Sequence, residues 1–331
     1  MKALVIKQGT NDTLAFMDKV KPGVSDGMAL IKMHAAALNH RDQWIREGKY
    51  PGIKEGVTLG SDGCGVVESV GMGVSNDWIG KDVIINPNLN WGGNPEVQSA
   101  DYSVLGMPGN GTLAEYMLVS ADRLIEKPGH LDNDKAAALP LAGLTAYRAL
   151  VRKAEVKSGQ NVLITGIGGG VALQALQFAT ALNAQVYVTS GSDEKIQKAI
   201  SIGAKTGFNY HDENWTKEAS EVGGFDTIID SSGGDNINQY IKLMKPGGRI
   251  VIYGATTGMP SNLDVFRIFW MQVSIIGSTM GNDEEFAEMV EFVERVKMEP
   301  VVDSVRPFTE AISAFEKMKA GNQVGKLVVK F

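Results

Sequence analysis

Between Asn161 and Ala179 the chain has the sequence NVLITGIGGGVALQALQFA, in which glycines join an apolar run to an amphipathic helical pattern. A strand, a glycine turn and a helix in this order are what a dinucleotide-binding turn requires. Glycine lets the backbone approach a pyrophosphate, and the helix N-terminus presents N–H groups. A GxxGxxA spacing fits better than a strict GxGxxG, while a flexible turn in another α/β protein is the alternative. The predicted cofactor contacts here are Gly166, Gly168, Gly169, Gly170 and Val171.

Further apolar runs follow this segment, separated by helical patterns. They predict an α/β fold with a doubly wound parallel sheet, because strands covered on both faces are continuously apolar. Upstream, a helical pattern is expected to be interrupted at Pro140. The predicted strands are QVYVTSGS, TGFNY, FDTIIDSS, GGRIVIYGA and VSIIGST, and the helix DEKIQKAISIGA lies between the first two.

The N-terminal third has a different sequence pattern, in which short strand-like runs are separated by Gly, Asn, Asp and Pro. These runs are MKALVIK, MALIKMHAAAL, GCGVVESVG and KDVIINP. Residues 86–111 are polar and rich in Gly and Pro, which predicts a long loop that is either functional or disordered. The C-terminal tail predicts two helices, DEEFAEMVEFVERVK and AISAFEKMKAGN, and a last strand, GKLVVKF.

Composition limits the possible functions. A length of 331 residues suggests two domains, and a net charge of −6 argues against nucleic-acid or anionic-membrane binding. The single cysteine, Cys64, excludes an intramolecular disulfide and a cysteine-cluster zinc site. We expect a soluble, cytoplasmic protein, because the sequence shows neither a signal-peptide core nor a run of 18 apolar residues.

The end of the second predicted strand bears on the cofactor. NAD-binding units usually carry an acidic residue there to bind the ribose 2′-OH. Here Ser190 and Ser192 stand at that point, and Lys195 follows one helical turn later. Small hydroxyl groups and a lysine suit a 2′-phosphate, which favours NADP. The alternative for Lys195 is a solvated helix residue.

Several segments, in order along nearly the whole chain, resemble the medium-chain dehydrogenase/reductase superfamily. They are ALNHRDQWIREGKYP, TLGSDGCGVVESVG, GTLAEYMLV, ALPLAGLTAYRAL, VLITGIGGGVALQALQFA, IGAKTGFNY, FDTIIDSSGGD, LMKPGGRIVIYG and GNQVGKLVVKF. The resemblance implies a GroES-like catalytic domain, residues 1–128 with 279–331, around a Rossmann NADP-binding domain, residues 129–278. It also implies hydride transfer from NAD(P)H. Further cofactor contacts are expected from the matched segments at His40, Thr145, Tyr210, Ser232 and Gly254.

The resemblance also distinguishes two branches of that superfamily. Zinc alcohol dehydrogenases have Cys where Asn39 stands, Gly-His-Glu where Gly60, Ser61 and Asp62 stand, and a third ligand near Leu141. An amide, a hydroxyl and a leucine do not form a zinc ligand set. The chain is more similar to the zinc-free, quinone oxidoreductase-like branch, whose members are often labelled as zinc-type alcohol dehydrogenases. No metal site is therefore expected.

Without zinc, hydrogen-bond donors must stabilise the charge that develops on a reduced oxygen. Asn39 and Tyr50 are the catalytic candidates, as a donor to substrate or ribose and as a donor or proton source. The alternatives are a helix cap for Asn39 and turn packing for Tyr50. Trp44, Trp91 and Trp270 are candidate walls of a substrate pocket, with core packing as the alternative.

Together these features predict a zinc-independent, NADPH-dependent oxidoreductase acting on a quinone or an α,β-unsaturated carbonyl. Two alternatives remain open, a zinc-dependent alcohol dehydrogenase with atypical ligands and a non-catalytic NADPH-binding sensor or structural protein. The apolar run QVSIIGST is expected to be an edge strand of the Rossmann sheet. The resemblance implies a homodimer that pairs through it.

Overall fold

A computed structural model describes residues 1–7 and 13–331 of the chain. Its strands, numbered in chain order, are β1 Lys2–Ile6, β2 Leu14–Asp18, β3 Met28–Ala37, β4 Asp62–Val70, β5 Asp82–Ile85, β6 Asn88–Leu89, β7 Ser103–Val104, β8 Tyr116–Ser120, β9 Leu124–Glu126, β10 Asn161–Ile164, β11 Gln185–Ser190, β12 Thr206–Asn209, β13 Phe225–Asp230, β14 Met244–Ile252, β15 Ser274–Gly277, β16 Val302–Pro307 and β17 Lys326–Lys330.

The α-helices are α1 His40–Arg46, α2 Asn133–Ala137, α3 Pro140–Tyr147, α4 Gly170–Ala181, α5 Asp193–Ile202, α6 Trp215–Ser220, α7 Ile237–Leu243, α8 Val265–Met271, α9 Asp283–Val296 and α10 Ala311–Lys319. A π-helical segment, Arg148–Lys153, continues α3. The predicted interruption at Pro140 is confirmed, because the proline starts α3, where its missing N–H costs nothing. Among the described residues, no helix is both long and apolar enough to cross a membrane.

The chain forms two compact units. One comprises Met1–Ala142 and Gly281–Phe331, and the other comprises Gly143–Met280. These units differ from the predicted domains chiefly at residues 129–142, because α2 packs on strands β3 and β4 of the first unit. The domain boundaries expected from the sequence stay a prediction.

The second unit is built on a parallel sheet with the strand order β12-β11-β10-β13-β14-β15. The predicted parallel, doubly wound sheet is thus confirmed, and so is the edge position of β15. Strand β10 lies inside the sheet, and Val162, Leu163 and Ile164 are fully buried. The run is continuously apolar because helices cover both faces of such a sheet.

The first unit is built on a largely antiparallel sheet with the order β16-β17-β3-β4-β5-β9, and β8 also pairs with β3. In this sheet Ala37, at the end of β3, stands opposite both Asp62 and Val328. Strands β4 and β17 therefore bring Asp62 and Lys326 to the carboxyl end of β3. The chain leaves that end through Asn39 into α1.

The predicted long loop, residues 86–111, is more ordered than expected. It contains the short antiparallel ladder of β6 and β7 and a cis peptide bond between Met107 and Pro108. The base of the loop is tied down by Arg123, which donates to the Asn88 carbonyl at 2.9 Å and to both carboxylate oxygens of Asp283. Polar side chains thus supply the order that its sparse apolar content does not.

Candidate active site

The carboxyl edge of the parallel sheet collects most of the predicted cofactor residues. Gly166 follows β10, Ser190 ends β11 and Tyr210 follows β12. Ser232 follows β13, and Gly254 follows β14 in the same way. Because parallel strands end at one edge, residues scattered over some 90 positions share one side of the sheet. In open α/β folds this edge is where nucleotides bind.

The glycine turn has the geometry that a pyrophosphate requires. Gly166 and Gly168 have φ angles of 62° and 136°, which side chains rarely adopt. Gly169 is the N-cap of α4 and supplies no side chain to cap it, and a methyl group added there would meet nothing within 4 Å. Gly170 and Val171 form the first turn of this 12-residue helix. The N–H groups of that turn have no side-chain cap, so the turn fits the phosphates of a dinucleotide.

Lys195 lies against this turn. A methyl group added at Gly168 would be 2.9 Å from Lys195 Cδ and 3.4 Å from its Nζ. Ser192 caps α5 by accepting from the Lys195 backbone N–H at 3.4 Å, and the Ser190 hydroxyl accepts from Ser192 N. One cation and two hydroxyl groups therefore lie at the end of β11, which is compatible with a phosphate ligand.

Gly191 separates these two serines, and two aromatic residues converge on it. A methyl group at Gly191 would lie 2.6 Å from His211 Nε2 and 2.8 Å from Tyr210 Oη. The two rings pack edge to face with centroids 4.8 Å apart, and both side chains are exposed. Sequence reasoning identified Tyr210 here but assigned no role to His211.

The loop after β13 is fixed by buried polar contacts. Asp230 is fully buried and accepts hydrogen bonds from Thr165 Oγ1 at 2.6 Å and from Ser232 Oγ at 2.6 Å. The Ser232 hydroxyl is thus engaged in the loop itself. Thr145 is buried in α3. The roles of Ser232 and Thr145 in cofactor binding stay predictions.

In the first unit the centre of the candidate site is a buried polar cluster of Asn39, Asp62 and Lys326. The Lys326 ammonium donates to Asn39 Oδ1 at 2.6 Å and to Asp62 Oδ2 at 2.8 Å. The Asn39 amide in turn donates to Asp62 Oδ2 at 2.9 Å. Lys326 is 3% exposed and Asp62 is 0% exposed, so the ion pair is shielded from water. The second oxygen of Asp62 accepts from the Leu141 backbone N–H at 2.7 Å.

These residues do not fit a zinc ion. The oxygens of Asn39 and Asp62 that face the cluster already accept hydrogen bonds from a lysine ammonium. Ser61 donates its hydroxyl to the Leu105 carbonyl at 2.8 Å, and Leu141 contributes a backbone N–H. Zinc sites require thiolate, imidazole or carboxylate ligands around an open centre. Across residues 1–7 and 13–331, no three His, Cys, Asp or Glu side chains are grouped to hold a metal.

Arg41 forms a second buried cluster beside the first. Its guanidinium donates to Ser61 Oγ at 2.5 Å, to Leu105 O at 2.7 Å and to Met107 O at 3.4 Å. Its central carbon lies 4.9 Å from the centroid of the Tyr50 ring, which also packs against the apolar core of the unit. Arg41 is buried because these hydrogen bonds draw its side chain inward, where it holds the loop after β7.

The two residues that flank Arg41 have perturbed pKa values. Asp42 is fully buried, and the loss of water raises the pKa of its carboxyl group, although Arg41 and the Asn39 N–H at 2.8 Å act against this shift. His40 begins α1 with an exposed side chain. Partial desolvation lowers the pKa of its imidazole, and the Lys326 ammonium lowers it further.

The three predicted pocket tryptophans have different surroundings. Trp44 is half-buried in α1. Trp91 is buried in the loop, where its indole N–H donates to Asn94 O at 2.9 Å and its ring packs edge to face on Tyr102. Trp270 is 70% exposed on α8. A shared pocket wall stays a prediction.

Sequence reasoning missed the role of Lys326. It lies 287 residues after Asn39 and begins the strand KLVVK, whose three central residues are apolar. A lysine at the end of a strand usually points to solvent, so no local signal identified it. Cys64 is a buried free cysteine, and its burial raises the pKa of the thiol to about 12.

Comparison with known proteins places this fold in a class. Residues 25–129 match the alcohol dehydrogenase GroES-like domain family, and residues 170–295 match the zinc-binding dehydrogenase family. The chain is 38% identical to a zinc-type alcohol dehydrogenase-like protein, YogA, from Leptosphaeria maculans, over 94% of this chain and 92% of that protein. It is 29% identical to the quinone oxidoreductase of Rattus norvegicus, with the same coverage of both chains.

A solved structure described as an NAD-dependent alcohol dehydrogenase superposes with a TM-score of 0.94 at 34% identity, covering 100% of both chains. The fold is therefore that of the alcohol dehydrogenases, with a GroES-like domain and a Rossmann domain. The chain belongs to the medium-chain dehydrogenase/reductase superfamily. It is an oxidoreductase that binds a nicotinamide dinucleotide.

Proposed function

We propose that this protein is a zinc-independent, NADPH-dependent oxidoreductase that transfers hydride to a quinone or an α,β-unsaturated carbonyl. The observation that carries the proposal is the pair of hydrogen bonds from the Lys326 ammonium to Asn39 and Asp62. These two residues stand where the zinc alcohol dehydrogenases have their metal-site pattern. An internal cation there supports chemistry that proceeds without zinc. We assign the catalytic domain to residues 1–128 with 279–331 and the cofactor domain to residues 129–278.

The chemistry divides between cofactor and protein. A bound nicotinamide cofactor supplies the hydride. When hydride adds to the acceptor carbon, electron density moves to the acceptor oxygen, and a proton must follow to complete the reduction. The Asn39 side chain carries two amide hydrogens, of which one goes to Asp62 at 2.9 Å. We assign the other to the acceptor oxygen, where a fixed donor in a water-poor site stabilises developing charge. Tyr50 or a water molecule delivers the proton.

The preference for NADPH is proposed from the end of β11. Lys195 places its ammonium above the glycine turn, and Ser190 and Ser192 supply hydroxyl groups at a point where NAD-binding units usually carry an acid. The solved relative described as NAD-dependent marks the alternative cofactor. His40, Gly166, Gly169 and Tyr210 are proposed as further cofactor contacts.

Anaerobic stopped-flow absorbance at the NADPH band tests the proposal, with NADPH and a panel of quinones, enones and aldehydes, and separately with NADP⁺ and a panel of alcohols. We expect NADPH oxidation by quinones or enones to survive exhaustive dialysis against a chelator. Turnover restricted to alcohols or aldehydes, lost with the metal and restored by zinc, would establish the zinc-dependent alternative. Tight NADPH binding without turnover of any acceptor would favour the sensor or structural alternative.

We further propose that the protein is a homodimer. Strand β15 lies at the edge of its sheet, and the preceding helix α8 exposes several large apolar side chains. Phe266 and Trp270 are stacked on it with their rings 6.2 Å apart, and Phe269 packs edge to face on Phe266. Surfaces of this kind are usually covered in the functional assembly. Light scattering should give about twice 35.5 kDa, and Phe269→Asp should shift it to the monomer mass. A 35.5 kDa wild-type species at micromolar concentration would refute the dimer.

A further inference from the structure

We propose that Lys326 is a positioning residue for Asn39: its ammonium holds the Asn39 amide with the nitrogen, not the oxygen, available to the substrate. The inference rests on the proposed function in one respect, namely that Asn39 contacts the acceptor oxygen. It concerns a residue outside the segment that contains Asn39.

The chemistry of the neighbours dictates the orientation of the amide. An asparagine side chain can be flipped by 180°, which exchanges its oxygen acceptor for its nitrogen donor. An ammonium only donates and a carboxylate only accepts. Lys326 must therefore face Oδ1, at 2.6 Å, and Asp62 must face Nδ2, at 2.9 Å. A flipped amide would bring two donors together on one side and two acceptors on the other.

Rigid elements hold the cluster in place. Lys326 is the first residue of β17, Asp62 is the first residue of β4, and the sheet pairs both strands with β3. Asp62 is anchored on its other oxygen by the Leu141 backbone N–H at 2.7 Å. The Asn39 backbone N–H donates to Asp42 at 2.8 Å, which fixes the start of α1. The side chain of Asn39 thus has little freedom apart from the flip, which Lys326 and Asp62 together prevent.

The ammonium also strengthens the donor that it positions. A positive charge that is hydrogen-bonded to Oδ1 draws electron density from the amide and makes its remaining N–H a better hydrogen-bond donor. The cluster is nearly dry, with Asn39 7% exposed, so this polarisation is little screened by water. Lys326 therefore acts on the acceptor oxygen through Asn39, without touching the substrate.

The same strand provides a matched control. Lys330 is also a lysine of β17 with a carboxylate partner, Asp134, but its side chain is 55% exposed. Lys330→Met removes an equal charge from the same strand and leaves the Asn39 amide untouched. We expect it to keep wild-type activity.

The test compares Lys326→Met, Lys326→Arg and the double variant Lys326→Met/Asp62→Asn. The double variant guards against misfolding, because it leaves no unpaired carboxylate in the core, yet it allows the Asn39 amide to flip. For folded protein that binds NADPH with a Kd within about twofold of wild type, we expect kcat to fall roughly 10- to 100-fold in both methionine variants. The primary isotope effect with deuterated NADPH should rise, because hydride transfer becomes slower than the other steps. Lys326→Arg should recover part of kcat.

Unchanged kcat and isotope effect in the double variant, with acceptor turnover intact in the wild type, would overturn the proposal while leaving the proposed function standing. If the wild type reduces no acceptor, the proposed function fails, and amide proton exchange still tests the positioning. With ¹⁵N-asparagine label, the Asn39 NH₂ protons should exchange slowly in the wild type and much faster in Lys326→Met. Equal exchange rates would overturn the inference independently of activity.

Discussion

Replacing Lys195 by methionine should convert the protein from a strong preference for NADPH to a weak one. The aliphatic stem of Lys195 lies against Gly168, with its Nζ near the glycine turn. Methionine keeps an unbranched apolar stem of similar length in this place and removes only the ammonium. The backbone N–H of residue 195, which donates to Ser192 Oγ at 3.4 Å, is preserved, so the cap of α5 survives.

The size of the effect follows from one charge-assisted hydrogen bond. Such a bond contributes about 1.5–3 kcal/mol, and a factor of ten in Kd corresponds to about 1.4 kcal/mol. Lys195 is only half-buried, so water screens part of its interaction with a phosphate and the lower end applies. The Kd for NADPH should therefore rise roughly 10- to 30-fold, while the Kd for NADH should change by less than about twofold.

Fluorescence titration of both cofactors, at low and moderate salt, measures these constants directly. The matched control is Lys198→Met, which removes an exposed lysine from the same helix and should leave both constants unchanged. Salt should weaken NADPH binding by the wild type more than by Lys195→Met, because only the wild type carries the cation that we propose to bind the 2′-phosphate. Equal increases in the Kd of NADPH and NADH would refute the reasoning, since they would place Lys195 on the shared pyrophosphate.

Other features give predictions of smaller scope. Arg41→Met should lower the free energy of unfolding in urea by about 2–4 kcal/mol, because two buried carbonyl groups lose a charged donor. The control is Lys49→Met, at an exposed lysine, and an equal loss of stability in both variants would contradict this prediction. Cys64 should resist iodoacetamide in the native protein at pH 8, because its thiol has a pKa of about 12 and stays protonated there. Stoichiometric labelling of the native protein at pH 8 would contradict this, since it would show an accessible thiolate. Gly191→Ala should raise the Kd for NADPH about fivefold, because the new methyl group displaces the exposed rings of Tyr210 and His211, and it should hardly move the melting temperature. An unchanged Kd would mean that neither ring contacts the cofactor.

The Rossmann half of the fold was predictable because its signals are local. Strand β10, the glycine turn and helix α4 are contiguous, and the burial of each strand in the parallel sheet appears as an unbroken apolar run. Helices α5, α9 and α10 were predicted for the same reason and are confirmed. The sequence did not reveal β2 and β16, since neither strand shows a clear alternation of buried and exposed residues.

The active-site cluster was predictable only in part. Asn39 and Asp62 could be identified because each stands within a short segment that resembles a known pattern. Their partner Lys326 reaches them through the pairing of β17 with β3, and this pairing is a property of the whole sheet. Arg41 is a similar case, because its acceptors at residues 105 and 107 belong to a loop whose path the sequence does not specify. The positions of Lys326 and Arg41 are therefore set by contacts with residues that are distant in the sequence.

The buried ammonium of Lys326 affects which acceptors are suited to the proposed reaction. Zinc carries two charges and binds a substrate oxygen directly, which stabilises a full alkoxide. An ammonium that is neutralised by Asp62 and acts through an amide offers a weaker field at that oxygen. Quinones and α,β-unsaturated carbonyls spread the incoming charge over a conjugated system, so the oxygen needs less stabilisation than an isolated alkoxide does. The proposed donor set around Asn39 therefore favours the proposed conjugated acceptors over isolated carbonyl groups.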